Sequence, residues 1–91
     1  MVLRIERLSD GQDTVLWLSG RIESEDVQQL KVQMDGRDQR IVLDLEEVRQ
    51  VDLDAVYFLA VCEAKGIELR HCPSFVRQWI LSEKPGIPEL G

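Results

Sequence analysis

Residues 40–72, RIVLDLEEVRQVDLDAVYFLAVCEAKGIELRHC, carry the pattern that decides the fold. They open with RIVLDL (40–45), a short and nearly continuous apolar run of the kind an interior strand shows when at least one face is covered. After a link, DLDAVYFLAVCEAKG (52–66) has the length and composition of a helix that stops at a glycine. IELRHC (67–72) then alternates apolar and polar residues like an edge strand. A helix that joins two neighbouring strands implies a right-handed parallel crossover, because a twisted strand feeding a right-handed helix packs back onto its sheet only that way.

The flanking segments fit around this unit. VLRIERL (2–8) alternates Leu3 and Ile5 against Arg4 and Glu6, the period of a strand with one wet face. Asp10-Gly11 supplies the backbone angles of a tight reversal, and TVLWLSG (14–20) returns with β-branched and aromatic residues, so a hairpin is expected. Val27, Leu30 and Met34 fall on one helical face; Ser24 is placed to cap it, Glu25 and Asp26 suit its first turn, and Gly36 ends it. Pro73 suits the first position of a last helix, whose stripe of Phe75, Val76, Trp79 and Ile80 runs up to the break at Pro85. The predicted fold is a single small α/β domain over residues 1–91: a mixed, mostly parallel sheet that begins with a β-hairpin, with helices linking the later strands.

Composition narrows the function. The chain has 91 residues, 44% of them hydrophobic and 31% charged, the balance of a globular protein with one modest core. A formal net charge of −6 is the wrong sign for nucleic-acid binding. No apolar stretch reaches the length needed to span a bilayer, and MVLRIERLSDG carries charge where a signal peptide has its apolar centre, so a cytoplasmic location without membrane insertion is expected. Cys62 and Cys72 are ten positions apart, a spacing that matches neither a redox pair nor a zinc knuckle, and they read as reduced thiols.

The threshold of the middle helix, VDLDAV (51–56), holds two carboxylates. Asp52 sits where an N-cap belongs and Asp54 falls in the first turn, so cap and helix dipole together account for both. A recognition role for the same acids stays open beside that account. Apolar residues fill almost every position from Ala55 to Ala64, so Tyr57, Phe58, Val61 and Ala64 cannot all face the sheet. Their second face needs a cover, either a neighbouring helix or another protein. Asp44, Asp52 and Asp54 raise a metal-dependent phosphoryl acceptor. The only histidine, His71, has no nucleophile at a useful spacing, and the one glycine of LSGRIES is too weak a signal for a phosphate loop. Trp17 and Val15 alternate with Leu16 and Leu18, which places them on the open side of the sheet, where a second copy can associate or strand neighbours can cover them.

The stretches VLWLSGRIES (15–24), RIVLDLEEVRQVDLDAVYFLAVCEAKGIELRHC (40–72) and PSFVRQWI (73–80) together resemble the STAS domain of bacterial anti-sigma factor antagonists, over roughly residues 2–82. The family's GxLD-like loop corresponds to GRIE (20–23), its apolar strand to VLDL (42–45), and its I-D-S-S-G threshold to VDLDA (51–55). The resemblance implies a small βα superhelix that acts by binding other proteins, and a threshold where a partner kinase phosphorylates a Ser or Thr. Here that position is Asp54, Ala55 replaces the usual glycine, and no hydroxyl occurs in VDLDAV. Phospho-switching at this position is therefore expected to be absent. The resemblance also implies that the loop carrying Glu23 lies beside the threshold, so that Glu23, Asp52 and Asp54, with Glu46 and Glu47 nearby in sequence, raise a magnesium site as an alternative to a solvated acidic rim. A carboxylate carries about one negative charge where phosphoserine carries about −1.5 to −2.

The resulting expectation is a non-enzymatic interaction module for signalling in transcription regulation, with no cofactor and no metal. Its partner-binding residues would be Glu23, Asp52, Asp54, Ala55, Tyr57, Phe58 and Val61. The partner would be an anti-sigma factor or kinase. The short tail LSEKPGIPELG (81–91) also resembles the compact STAS subunit of bacterial lipid-trafficking ABC transporters, which makes an ABC ATPase the alternative partner.

Overall fold

The computed structural model describes residues 3–34 and 40–82; Gly36 and the predicted break at Pro85 lie outside them. Among the described residues, an initial hairpin is followed by alternating helices and strands: β1 (Arg4–Ser9), β2 (Asp13–Ile22), α1 (Ser24–Met34), β3 (Arg40–Val51), α2 (Leu53–Ala64), β4 (Glu68–Arg70) and α3 (Ser74–Ser82). The sheet order is β1-β2-β3-β4, antiparallel between β1 and β2 and parallel across both later pairs. This is the mixed, mostly parallel α/β sheet that the sequence predicts.

The hairpin turns where Asp10 and Gly11 place it. Gly11 has φ 95°, which a side chain would resist, and the Asp10 carboxylate accepts the N–H groups of Gln12 (3.1 Å) and Asp13 (2.8 Å). Those two amides hold the Asp10 carboxyl below its usual range. The alternation then sorts the faces. Ile5 pairs with Leu18 on the helix side, and Glu6 pairs with Trp17 on the open side. Arg7, also on the helix side, reaches the last turn of α1 and donates to the Gln33 carbonyl at 3.0 Å.

One apolar cluster joins the inner face of the sheet to all three helices: Leu16, Leu18, Leu43 and Leu45 from the strands, Leu30 from α1, Val56 and Leu59 from α2, and Val76 and Ile80 from α3. The central strand is twice as long as its sequence pattern suggests, and the reason is geometric. Between β2 and β3 the register slips twice: Trp17 faces Asp44 while Ser19 faces Glu47, and Gly20 faces Val48 while Arg21 faces Gln50. Each slip adds one residue to β3, so its buried side chains after Leu45 recur three apart, at Val48 and Val51, instead of two. The segment read as a link is strand whose period has been stretched.

Two helix ends also differ from expectation. Ser24 is the first residue of α1, so the cap position falls one residue earlier, on Glu23, whose N–H donates to the Asp26 carboxylate at 2.9 Å. At the end of α2, Gly66 (φ 95°) donates to the Glu63 carbonyl and Ile67 to the Cys62 carbonyl, both at 3.0 Å, so the last carbonyls of the helix are satisfied as the chain turns into β4.

Leu59→Ala, which removes a fully buried side chain between sheet and helices, is expected to cost about 2–5 kcal/mol in a urea titration. Burial pushes the Cys62 thiol up to about 11 from 9.0. The folded chain therefore keeps a proton that the unfolded chain releases, and stability falls as pH rises from about 9 towards 11. Melting curves across that window should show a shallower decline for Cys62→Ala than for the parent.

Candidate functional site

The site at the start of α2 is built from one carboxylate. Asp52 leaves β3 in extended geometry (φ −102°, ψ −179°), and its Oδ1 accepts the N–H of Ala55 at 2.9 Å, which caps α2. Its Oδ2 accepts the N–H of Ser24, the first residue of α1, at 2.8 Å. The backbone closes the same junction, because the Asp52 N–H donates to the Ile22 carbonyl at 3.2 Å. One side chain thus satisfies free amides at the beginnings of two helices, where the helix dipoles also favour its charge.

Asp54 is different. It is exposed in the first turn of α2 and makes no hydrogen bond or ion pair with the described residues. Glu23 lies beside the Asp52 junction, half-buried, with its carboxylate 3.0 Å from the Arg21 guanidinium. Of the expected binding residues, Ala55 is fully buried, in the first turn of α2. Phe58 is half-buried against the core, at the flank of the helix.

The second face of α2 is covered by neighbouring helices at some positions and left exposed at others. Helices α1 and α3 flank α2 and cover part of it. Leu53, Tyr57 and Val61, spaced four apart and 45%, 40% and 38% exposed, form a stripe that runs along the helix from its threshold and has Asp54 beside it. Leu53 is the member of this stripe that the expected binding set lacks; apolar residues four apart are its signal in the sequence. At the far end the stripe meets a groove of about 550 Å³ between α1 and α2, floored by Met34, Phe58 and Ile67 and rimmed by Lys31 and Lys65.

The acids imagined as a metal-dependent phosphoryl site do not assemble. Asp44 lies in the middle of β3 on the open face of the sheet, and Asp52 and Asp54 belong to the α2 threshold. Asp44 is instead grouped with Glu46 and His71, the one cluster of three potential ligands among the described residues. His71 leaves β4 with φ 55°, a backbone region in which histidine is less rare than most residues, and its Nδ1 is 3.0 Å from the Asp44 carboxylate. On the same face Trp17 is 38% exposed, with Val15 half-buried beside it. Both cysteines are free thiols, and no helix among the described residues is long and apolar enough to cross a membrane.

The two threshold acids should separate on mutation. Asp52→Ala removes a cap and a charged hydrogen bond to a second helix, and is expected to cost about 2–4 kcal/mol in chemical denaturation. Asp54→Ala removes at most a dipole interaction, and should cost no more than about 1 kcal/mol.

Neither a family model nor a curated protein matches the sequence. Among solved structures, the fold is similar to an antisigma-factor antagonist STAS domain from Rhodobacter sphaeroides, with a TM-score of 0.53 and 19% identity over 91% of this chain and 89% of that one. A second similar structure is an uncharacterised protein with a SpoIIAA-like fold from Shewanella loihica PV-4, with a TM-score of 0.45 and 22% identity over 71% of this chain and 56% of that one. The first of these likenesses, which spans nearly the whole of both chains, gives this chain a STAS-like fold.

Proposed function

We propose that this chain is a non-enzymatic protein-interaction module that docks through the threshold and outer stripe of α2. The observation that carries the reading is the pairing of an exposed apolar row, Leu53, Tyr57 and Val61, with an acid, Asp54, that has no partner among the described residues. An exposed row of large apolar side chains beside an unpaired charge has the character of an interface, in which apolar anchors supply affinity and rim charges supply orientation. Asp52, by contrast, is committed to the fold and acts as a positioning residue for this surface.

The similarity to an antisigma-factor antagonist domain favours a cytoplasmic role in signalling, with an anti-sigma factor or kinase as the partner. In such a complex Asp54 would occupy the place of the phosphorylatable hydroxyl, with a fixed charge that no kinase or phosphatase alters. The partner would present a basic or hydrogen-bond-donating patch to Asp54 and an apolar surface to Tyr57. An ABC ATPase using the same threshold is the alternative occupant.

Capture from lysate of the source organism, with the purified chain as bait, tests this. Proteins retained by the parent and by a variant on the open sheet face, Arg4→Glu, should be lost with Asp54→Lys combined with Tyr57→Ala. For a partner identified in this way, Tyr57→Ala alone should weaken binding by about tenfold or more, and added salt should weaken it further. Equal retention by all three baits would place the surface elsewhere.

A further inference from the structure

We infer that Asp44, Glu46 and His71 form a binding site for a first-row divalent transition-metal ion, of the zinc or cobalt class, on the open face of the sheet. Three features of the structure lead there. The first is donor geometry. Asp44 Oδ2 and His71 Nδ1 are 3.0 Å apart, His71 Nδ1 and Glu46 Oε1 are 3.9 Å apart, and all three ligand atoms lie within 4.8 Å of one another. Ligands bound at about 2.0–2.2 Å from one ion stand about 3.0–3.5 Å apart, so the aspartate–histidine edge already has the required length. Glu46, with its side chain 65% exposed, needs only a small rotation to close the other two.

The second feature is charge. The Asp44 side chain is 4% exposed, yet among the described residues the only partner able to carry positive charge is His71. Arg70 stands opposite Asp44 on β4, but its guanidinium is turned to Glu68, 3.6 Å away. A carboxylate removed from water without a permanent cation beside it is costly, and a divalent ion between Asp44 and Glu46 cancels both charges.

The third is how the first register slip builds the site. Leu45 and Glu46 of β3 together face Leu18, so the extra residue is pushed out of the regular ladder. The Glu46 N–H donates to Asp44 Oδ1 at 3.0 Å, which fixes the carboxylate plane and leaves Oδ2 to point at His71. Nitrogen from imidazole with two carboxylate oxygens suits zinc, cobalt or nickel better than magnesium or calcium, which prefer all-oxygen sites. His71 and Glu46 are more than half exposed, so water can complete the coordination. Binding displaces the shared Asp44–His71 hydrogen bond and takes the imidazole in its neutral form.

Trp17 stands in register with Asp44 on the same face and serves as the reporter. In a tag-free Trp79→Phe chain, Co²⁺ should quench Trp17 fluorescence saturably with one-to-one stoichiometry, Zn²⁺ should compete, and Mg²⁺ should not. His71→Gln and Glu46→Gln, both at exposed positions, should each weaken Co²⁺ binding more than about tenfold, since even residues one shell further out contribute 10–100-fold. Cys72→Ser should leave the affinity unchanged. The site would be overturned if millimolar Co²⁺ and Zn²⁺ produced neither quenching nor calorimetric heat, or if binding persisted undiminished in His71→Gln.

Discussion

The arrangement depends most on the Asp52 carboxylate. A crossover fold brings the beginnings of successive helices to the same edge of the sheet, where backbone amides collect with no carbonyls to receive them. Asp52 answers two of these amides with its two oxygens, one on Ala55 and one on Ser24, while its own N–H holds the end of β2 through Ile22. The charge is stabilised by both helix dipoles at once, and the geometry locks α1 and α2 to the same strand end. The surface proposed for recognition begins at the next residue, so a rigid junction is what fixes the direction in which Asp54 and the Leu53–Tyr57–Val61 row project.

Much of this was legible in the chain because the relevant signals are local. Asp10-Gly11 announces the hairpin, Asp52 announces the cap, and Gly66 announces the end of α2; each depends on side-chain and backbone chemistry within a few residues. The long β3 was hidden for the opposite reason. Its later residues, Glu46 to Gln50, lose the two-residue period only because of where β2 happens to slip against them, which is a property of the pair and not of either strand. The cap of α1 was misplaced by one residue because Ser24 is the better cap former, yet its N–H is already satisfied from Asp52, far along the chain.

The same distinction separates the two candidate sites. Asp52 and Asp54 lie two apart in sequence, so the one motif VDLDAV displays both carboxylates, one at a cap and one in a first turn. The grouping of Asp44 with His71 could not, because it joins the middle of β3 to the residue after β4 and needs the parallel register to bring them together. An aspartate inside an apolar run was the available hint, but the run alone does not say which distant residue turns back to meet it.

Parallel pairing of β2 with β3 has a kinetic corollary. The hairpin of β1 and β2 closes across a few residues, whereas the first contact of Thr14 with Ile41 requires the chain to have folded back around all of α1. Loop-closure entropy is spent before that contact returns anything, so the rate at which this molecule folds is set by the docking of its central strand and not by its early turn.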